Sequence, residues 1–220
     1  MSILKGLIIK ELVSVKSYTK NIVLFVILAA IMSFFMDNLN TFIPVYIPLV
    51  LGMMATNSFV YDGQANSERY FLAMPLNKKD IIKAKYLYIF LVTFLGSVFG
   101  VILAILLQCL KDVSVLNIGD ILSTGIGALF ALMVLQIFQI PILVKFGYEK
   151  GKFIQMIAII LIMGIASGVS LFFVNNQSFE INKFLDIPKK YGIYIGLLSS
   201  VLLYTMSYYI SCVIYNKKEI

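Results

Sequence analysis

Apolar residues in this chain fall into six long runs, near 18–36, 42–61, 84–109, 119–144, 153–174 and 191–215. A helix needs about 20 residues to cross a hydrocarbon core of roughly 30 Å, so the pattern predicts six membrane-spanning helices. The first run is marginal in length. The fourth is long enough to tilt or kink and carries Pro141 near its end. Pro44 and Pro48 fall close to the start of the second run, where a missing backbone donor costs least. Only a few residues (DNLNT) separate the first run from the second, which predicts an antiparallel hairpin. Ahead of the first run, residues 1–17 read as an amphipathic helix on the membrane surface. Ile3, Leu4, Leu7, Ile8, Leu12 and Val15 share one half of the helical wheel, and Lys5 and Lys16 lie outside it. Glu11 intrudes on the apolar arc. An elbow helix at the interface and an extension of the first span both fit this segment.

The polar positions between the runs set the orientation. With both termini inside, the cytoplasmic pieces hold fourteen of the eighteen basic residues, and only Lys111, Lys183, Lys189 and Lys190 fall outside. That asymmetry follows the positive-inside rule and agrees with an even number of spans. The domain division is then an interfacial helix over 1–17 and a six-span domain over 18–220, with a cytoplasmic loop over 62–83. Three spans carry glycine pairs four apart, Gly96/Gly100, Gly164/Gly168 and Gly192/Gly196, which let helix backbones approach closely. Packing within the subunit explains them more simply than a dimer seam.

Composition narrows the function. Of 220 residues, 60% are hydrophobic and 13% charged, with a mean hydropathy of +0.95, so the main solvent is lipid. The net charge of +7 then reads as lysines facing anionic headgroups and not as a nucleic-acid surface. Membrane lipids are expected partners; nucleic acid is not. There is no histidine, and Cys109 and Cys212 both lie within apolar runs, so neither a metal centre nor a nucleophile–histidine pair is expected. No catalytic residue is expected. The run from Gly147 to Lys152 is one residue short of a phosphate loop and follows a membrane helix instead of a strand. The middles of the spans lack charges of the kind that an ion-coupled transporter buries. Neutral polar groups remain, and Asn57, Gln136 and Gln139 are candidates to line a substrate pathway. The two glutamines are so close in sequence that a shared face is not expected.

The loop between the second and third runs is the most informative stretch. Tyr70, Phe71, Leu72, Met74 and Leu76 sit there among Arg69, Lys78, Lys79, Lys83 and Lys85, more than a plain linker needs. Asn66 or Ser67 is placed to cap a short helix through Glu68–Ala73. Pro75 breaks it, and Asn77 caps a second helix with Asp80 at its third position. The sequence Phe59…Asp62…Glu68…Phe71-Leu72…Met74-Pro75-Leu76…Lys78…Asp80-Ile81-Ile82…Lys85-Tyr86 resembles the cytoplasmic loop of type-two ATP-binding-cassette permeases, in particular the small six-span bacterial exporters. Met74 stands where that family usually has leucine before proline.

The resemblance implies an all-α integral membrane protein of the bacterial cytoplasmic membrane. It implies six transmembrane helices, an N-terminal interfacial helix and a cytoplasmic coupling helix between spans two and three. Glu68, Arg69, Tyr70, Phe71, Leu72, Met74 and Pro75 would dock on a cytoplasmic ATPase dimer, which would hold the ATP and Mg; this chain would hold no cofactor of its own. A second copy or a related permease would complete the membrane part. The uncharged interior favours export of a hydrophobic or amphipathic molecule, with a peptide as the best single expectation. A non-transporting membrane scaffold or immunity subunit is the alternative, and a secondary transporter is disfavoured by the missing ionisable pathway. Residues Phe172–Asn182 read either as a plain loop end or as a lid over an external exit.

Overall fold

The computed structural model describes residues 3–16, 19–35, 39–64, 77–111, 117–175 and 181–217, with backbone alone for 158–175 and 181–198. The described chain is helical, with no strand among those residues. The helices are α1 (Ile3–Lys16), α2 (Thr19–Phe35), α3 (Leu39–Thr56), α4 (Ser58–Gln64), α5 (Lys78–Lys111), α6 (Ile118–Asn175) and α7 (Ile181–Asn216). Among the described residues three stretches are long and apolar enough to cross a bilayer: Thr41–Gly63, Lys78–Lys111 and Ile118–Gly147. These coincide with the second, third and fourth runs. The first run appears as a shorter apolar helix, Ile22–Ser33, within α2. The fifth and sixth runs lie in the second limb of α6 and in α7, both helical in backbone.

Several expected boundaries move. Helix α3 begins at Leu39, so Pro44 and Pro48 lie inside it and not near its start. Each removes a backbone donor from the ladder, which a membrane helix tolerates when neighbours pack closely against it. Helix α5 supplies that neighbour. A Cβ placed on Gly96 would lie 3.2 Å from Pro48 Cα, and one on Gly100 would lie 3.3 Å from the Ile43 carbonyl oxygen and from Pro48 Cδ. This glycine pair therefore serves packing within the chain, and a helix with larger residues there would be held off α3.

Helix α5 starts directly after Asn77, whose carbonyl accepts from Asp80 N at 2.9 Å. Its 34 residues span about 50 Å at about 1.5 Å each, longer than a hydrocarbon core of roughly 30 Å. In α6 the residues expected as a loop, 145–152, are helical on both sides of one break at Gly147, where φ is 71°. A straight helix would put residues 143 and 151 about 12 Å apart. Instead a Cβ on Gly151 would sit 3.4 Å from Leu143 Cα, so the chain turns sharply on that single left-handed glycine. Residues 181–190, expected outside the membrane as part of a loop, already belong to α7.

Two buried clusters hold the bundle at opposite ends. One joins Ala55 of α3, Ile82, Tyr86 and Ile89 of α5, Ile140 and Val144 of α6, and Cys212 and Tyr215 of α7. The other joins Ile43 and Ile47 of α3, Ala104 of α5 and Ile121 of α6. Residue order in these clusters makes α3 and the first limb of α6 antiparallel to α5. Helix α1 packs on α5 and α4 at the same end as Gly147 and the C-terminal part of α7.

Candidate functional site

Four ionised side chains meet where α1, α4 and α5 converge. Lys10 and Glu11 come from α1, Asp62 from α4 and Lys85 from the second turn of α5 onward. The Asp62 carboxylate accepts from both Lys10 Nζ and Lys85 Nζ, and Glu11 Oε1 lies 3.2 Å from Lys10 Nζ and 3.3 Å from Lys85 Nζ. The Lys85, Glu11 and Asp62 side chains are 6%, 5% and 9% exposed, against 34% for Lys10. Lys85 Nζ also stands 4.4 Å above the ring of Phe59, a favourable cation–π position.

The local sequence accounts for each placement. On α1, Leu7 and Glu11 are buried while Ile9, Leu12 and Val13 are exposed. The four-residue step from Leu7 to Glu11 turns one face of the helix into α5 and leaves its flank to lipid. The charge that interrupts the apolar arc is thus the one that meets Lys85. Asn57 ends α3, its N–H donating to the Met54 carbonyl at 3.1 Å, and its own carbonyl accepts from Tyr61 N at 3.3 Å. That starts α4 and carries Asp62 inward.

Two positive and two negative groups sum to no net charge, which offsets part of the desolvation that burying any one of them costs. Such a cluster fixes the three helices to one another. Beside it is a cavity of about 60 Å³ lined by Asp62 and Lys85 on one side and by Leu143, Gly147 and Tyr215 on the other. A water needs roughly 10–15 Å³ and polar partners, and this cavity offers both. The ionic joint therefore borders the α6 turn and the C-terminal end of α7.

The expected docking residues Glu68, Arg69, Tyr70, Phe71, Leu72, Met74 and Pro75 lie outside the described residues. What is described is both roots of their segment: Asp62 stands shortly before it, Lys85 shortly after it, and the two are bonded. Charge is expected to stay out of the middles of the spans, and the buried charges stand at this end. Glu11 on an apolar arc was the available signal, because a buried carboxylate requires a cation. Nothing in the sequence said which lysine.

The expected pathway residues are partly brought together. Gln139 Nε2 donates to Thr56 Oγ1 at 3.2 Å. Gln136 is buried, with its Nε2 3.4 Å from where a Gly52 Cβ would be. Both glutamines therefore face α3, correcting the view that they cannot share a face: residues three apart lie only about 60° apart around a helix. Gln136 Oε1 is buried and has no hydrogen-bond partner among the described residues. Asn57 uses its backbone to join α3 and α4.

A second polar network ties α5, α6 and α7 on the other side of the joint. The Tyr86 hydroxyl lies 2.8 Å from Ser207 Oγ and 2.7 Å from Ser211 Oγ. Ser207 Oγ donates to the Ile137 carbonyl at 2.7 Å, and Tyr204 donates to the Tyr86 carbonyl at 2.9 Å. Among the described residues no trio of metal-ligating side chains lies together, and Cys109 and Cys212 are free thiols.

Residues 6–216 match the family described as ABC-2 family transporter protein. Among curated proteins and solved structures, nothing matches the chain.

Proposed function

The chain belongs to the ABC-2 transporter family, a family of membrane permease components, and from that premise we propose that it is the permease subunit of an ATP-driven exporter. In this reading two permease chains, identical or related, sit above a cytoplasmic ATPase dimer that holds the nucleotide and Mg. The chain has six spans, both termini inside, in the cytoplasmic membrane of a bacterium. Its cargo is hydrophobic or amphipathic, with a peptide the best candidate. Asn57, Gln136 and Gln139 supply polar contacts along an otherwise apolar route.

The observation that carries the coupling role is the ionic joint at the roots of residues 65–76. A segment that delivers force from an ATPase must be anchored in something stiff, and Asp62 and Lys85 are bonded to each other and to α1. Glu68, Arg69, Tyr70, Phe71, Leu72, Met74 and Pro75 then form the docking element, with aromatic anchors and a charged rim.

Co-purification with the ATPase subunit, followed by substrate-stimulated hydrolysis in liposomes, tests the proposal. Phe71→Ala is expected to weaken assembly about thirty- to a thousand-fold, the range for losing an interface anchor, while Asp112→Ala leaves it unchanged. A complex that forms normally but neither transports nor responds to any amphipathic peptide would favour the scaffold reading. For orientation, single cysteines at Ser67 and Asn182 in a background lacking Cys109 and Cys212 are labelled in intact cells with an impermeant maleimide. Labelling is expected at Asn182; labelling at Ser67 instead would reverse the topology.

A further inference from the structure

A groove of about 310 Å³ runs between α5 and α7, floored by Met133 of α6. Lys83 stands at one end, and Leu87, Phe90, Tyr204 and Tyr208 form the walls. Three tyrosines border it, yet its exposed lining is entirely apolar. The hydrogen bonds explain much of this: Tyr86 spends its hydroxyl on Ser207 and Ser211, and Tyr204 spends its own on the Tyr86 carbonyl. Ring faces and edges are left for the groove. The rings meet edge-on, Tyr86 with Tyr204 at 5.2 Å and with Tyr208 at 5.6 Å, which keeps these walls in place.

The charge at the mouth has a definite pattern. Lys79, Lys83, Leu87 and Phe90 follow one another at helical spacing along one face of α5, so the stripe changes from basic to apolar within two turns. Lys79 and Lys83 are exposed, and Lys78 is half-buried in the first turn. Asp80 is the acid in that turn, so the opening turns hold three lysines to one carboxylate besides the paired Lys85. From Lys83 to Phe90 the helix rises about 10 Å. Lysines at the start of a helix longer than the hydrocarbon is thick suit headgroup level.

The geometry points to a site for one anionic phospholipid, its phosphate on Lys83 and Lys79 and the upper part of one acyl chain in the groove between α5 and α7. A polar head has no partner deeper in the groove, because no hydrogen-bonding surface is offered there. A zwitterionic lipid would fill the same groove without the net attraction to the lysines. The occupant seals α5 to α7 beside the ionic joint without touching it.

The test uses the full chain in detergent, with dioleoyl phosphatidylglycerol and dioleoyl phosphatidylcholine as probes. Retained lipid is counted by native mass spectrometry, and thermal stability is measured at increasing lipid. Phosphatidylglycerol is expected to be retained preferentially. Lys83→Gln should lower that preference about fivefold, the effect of one lysine near an anionic surface, with phosphatidylcholine retention unchanged. Thr205→Phe, which fills the groove from α7, should reduce retention of both lipids. Leu122→Phe, in the separate groove between α5 and α6, should change neither. Equal retention of the two lipids by the unaltered chain would overturn the proposal. So would a preference that survives Lys83→Gln, or one that survives Thr205→Phe in a chain still folded by its thermal transition. Retention of a co-purifying peptide in place of lipid, lost on Thr205→Phe, would assign the groove to cargo and also refute it.

Discussion

Helix α5 is held in two different ways along its length. In its middle, Gly96 and Gly100 let it lie against Pro48 and Ile43 at contact distance. At its N-terminal end it is held by Asp62 and Glu11 through Lys85. Shape holds the first and charge holds the second. Between membrane helices, where lipid is as apolar as leucine, close packing is the main attraction available. The charged end needs a different explanation, because burying ions is seldom the most stabilising solution. A buried charge must be matched by an opposite one within hydrogen-bond reach, so this end brings particular residues of α1, α4 and α5 together.

Breaking the charged end should have the largest effect. Lys85→Met leaves two buried carboxylates with Lys10 as their cation, and removing one partner of a buried pair costs about 3–5 kcal/mol. Thermal unfolding in detergent should register this as a large loss. The double variant Lys85→Met/Asp62→Leu keeps a Lys10–Glu11 pair and should recover most of it. If it is no more stable than the single variant, the charges are not coupled.

The packed seam should respond less. Gly100→Leu drives a side chain into Pro48 and the Ile43 carbonyl, and overpacking costs about 1–3 kcal/mol. Gly127, exposed and with nothing within 4 Å of a Cβ, is the matched control, and Gly127→Leu should leave unfolding unchanged. Equal losses from both variants would mean that contact with α3 does not set the result.

The smallest expected effect separates hydrogen bonding from both. Tyr86→Phe keeps the ring and removes the hydroxyl shared with Ser207 and Ser211, for about 0.5–1.5 kcal/mol. It should loosen α7 from α5 while leaving the α1 contact intact, as hydrogen exchange of the two helices would report.

The unequal legibility of these regions has a physical cause. The helices were visible because twenty apolar residues in a row have few other fates, and the glycine seam was visible because four-residue spacing is local. Lys85 and Asp62 stood in the quoted motif, but which charges meet depends on contacts across 23 and 74 positions of chain, which no local period records. The break at Gly147 was hidden for the opposite reason. A cluster of charged and glycine residues reads as a loop, yet one left-handed glycine suffices to turn the chain. Gln136 and Gln139 were misjudged by applying sequence distance where helical angle applies.

The ionic joint also sets an order of events during synthesis. Glu11 is made before Lys85, which follows 74 residues later, an interval of about 4–15 s at about 5–20 residues per second. Until then Glu11 and Asp62 lack the Lys85 ammonium, and the face of α1 that carries Leu7 has no α5 to cover it. Helix α1 is made before the helix that seats it, so it acts as a latch that closes only when the third long hydrophobic run has begun to enter the bilayer.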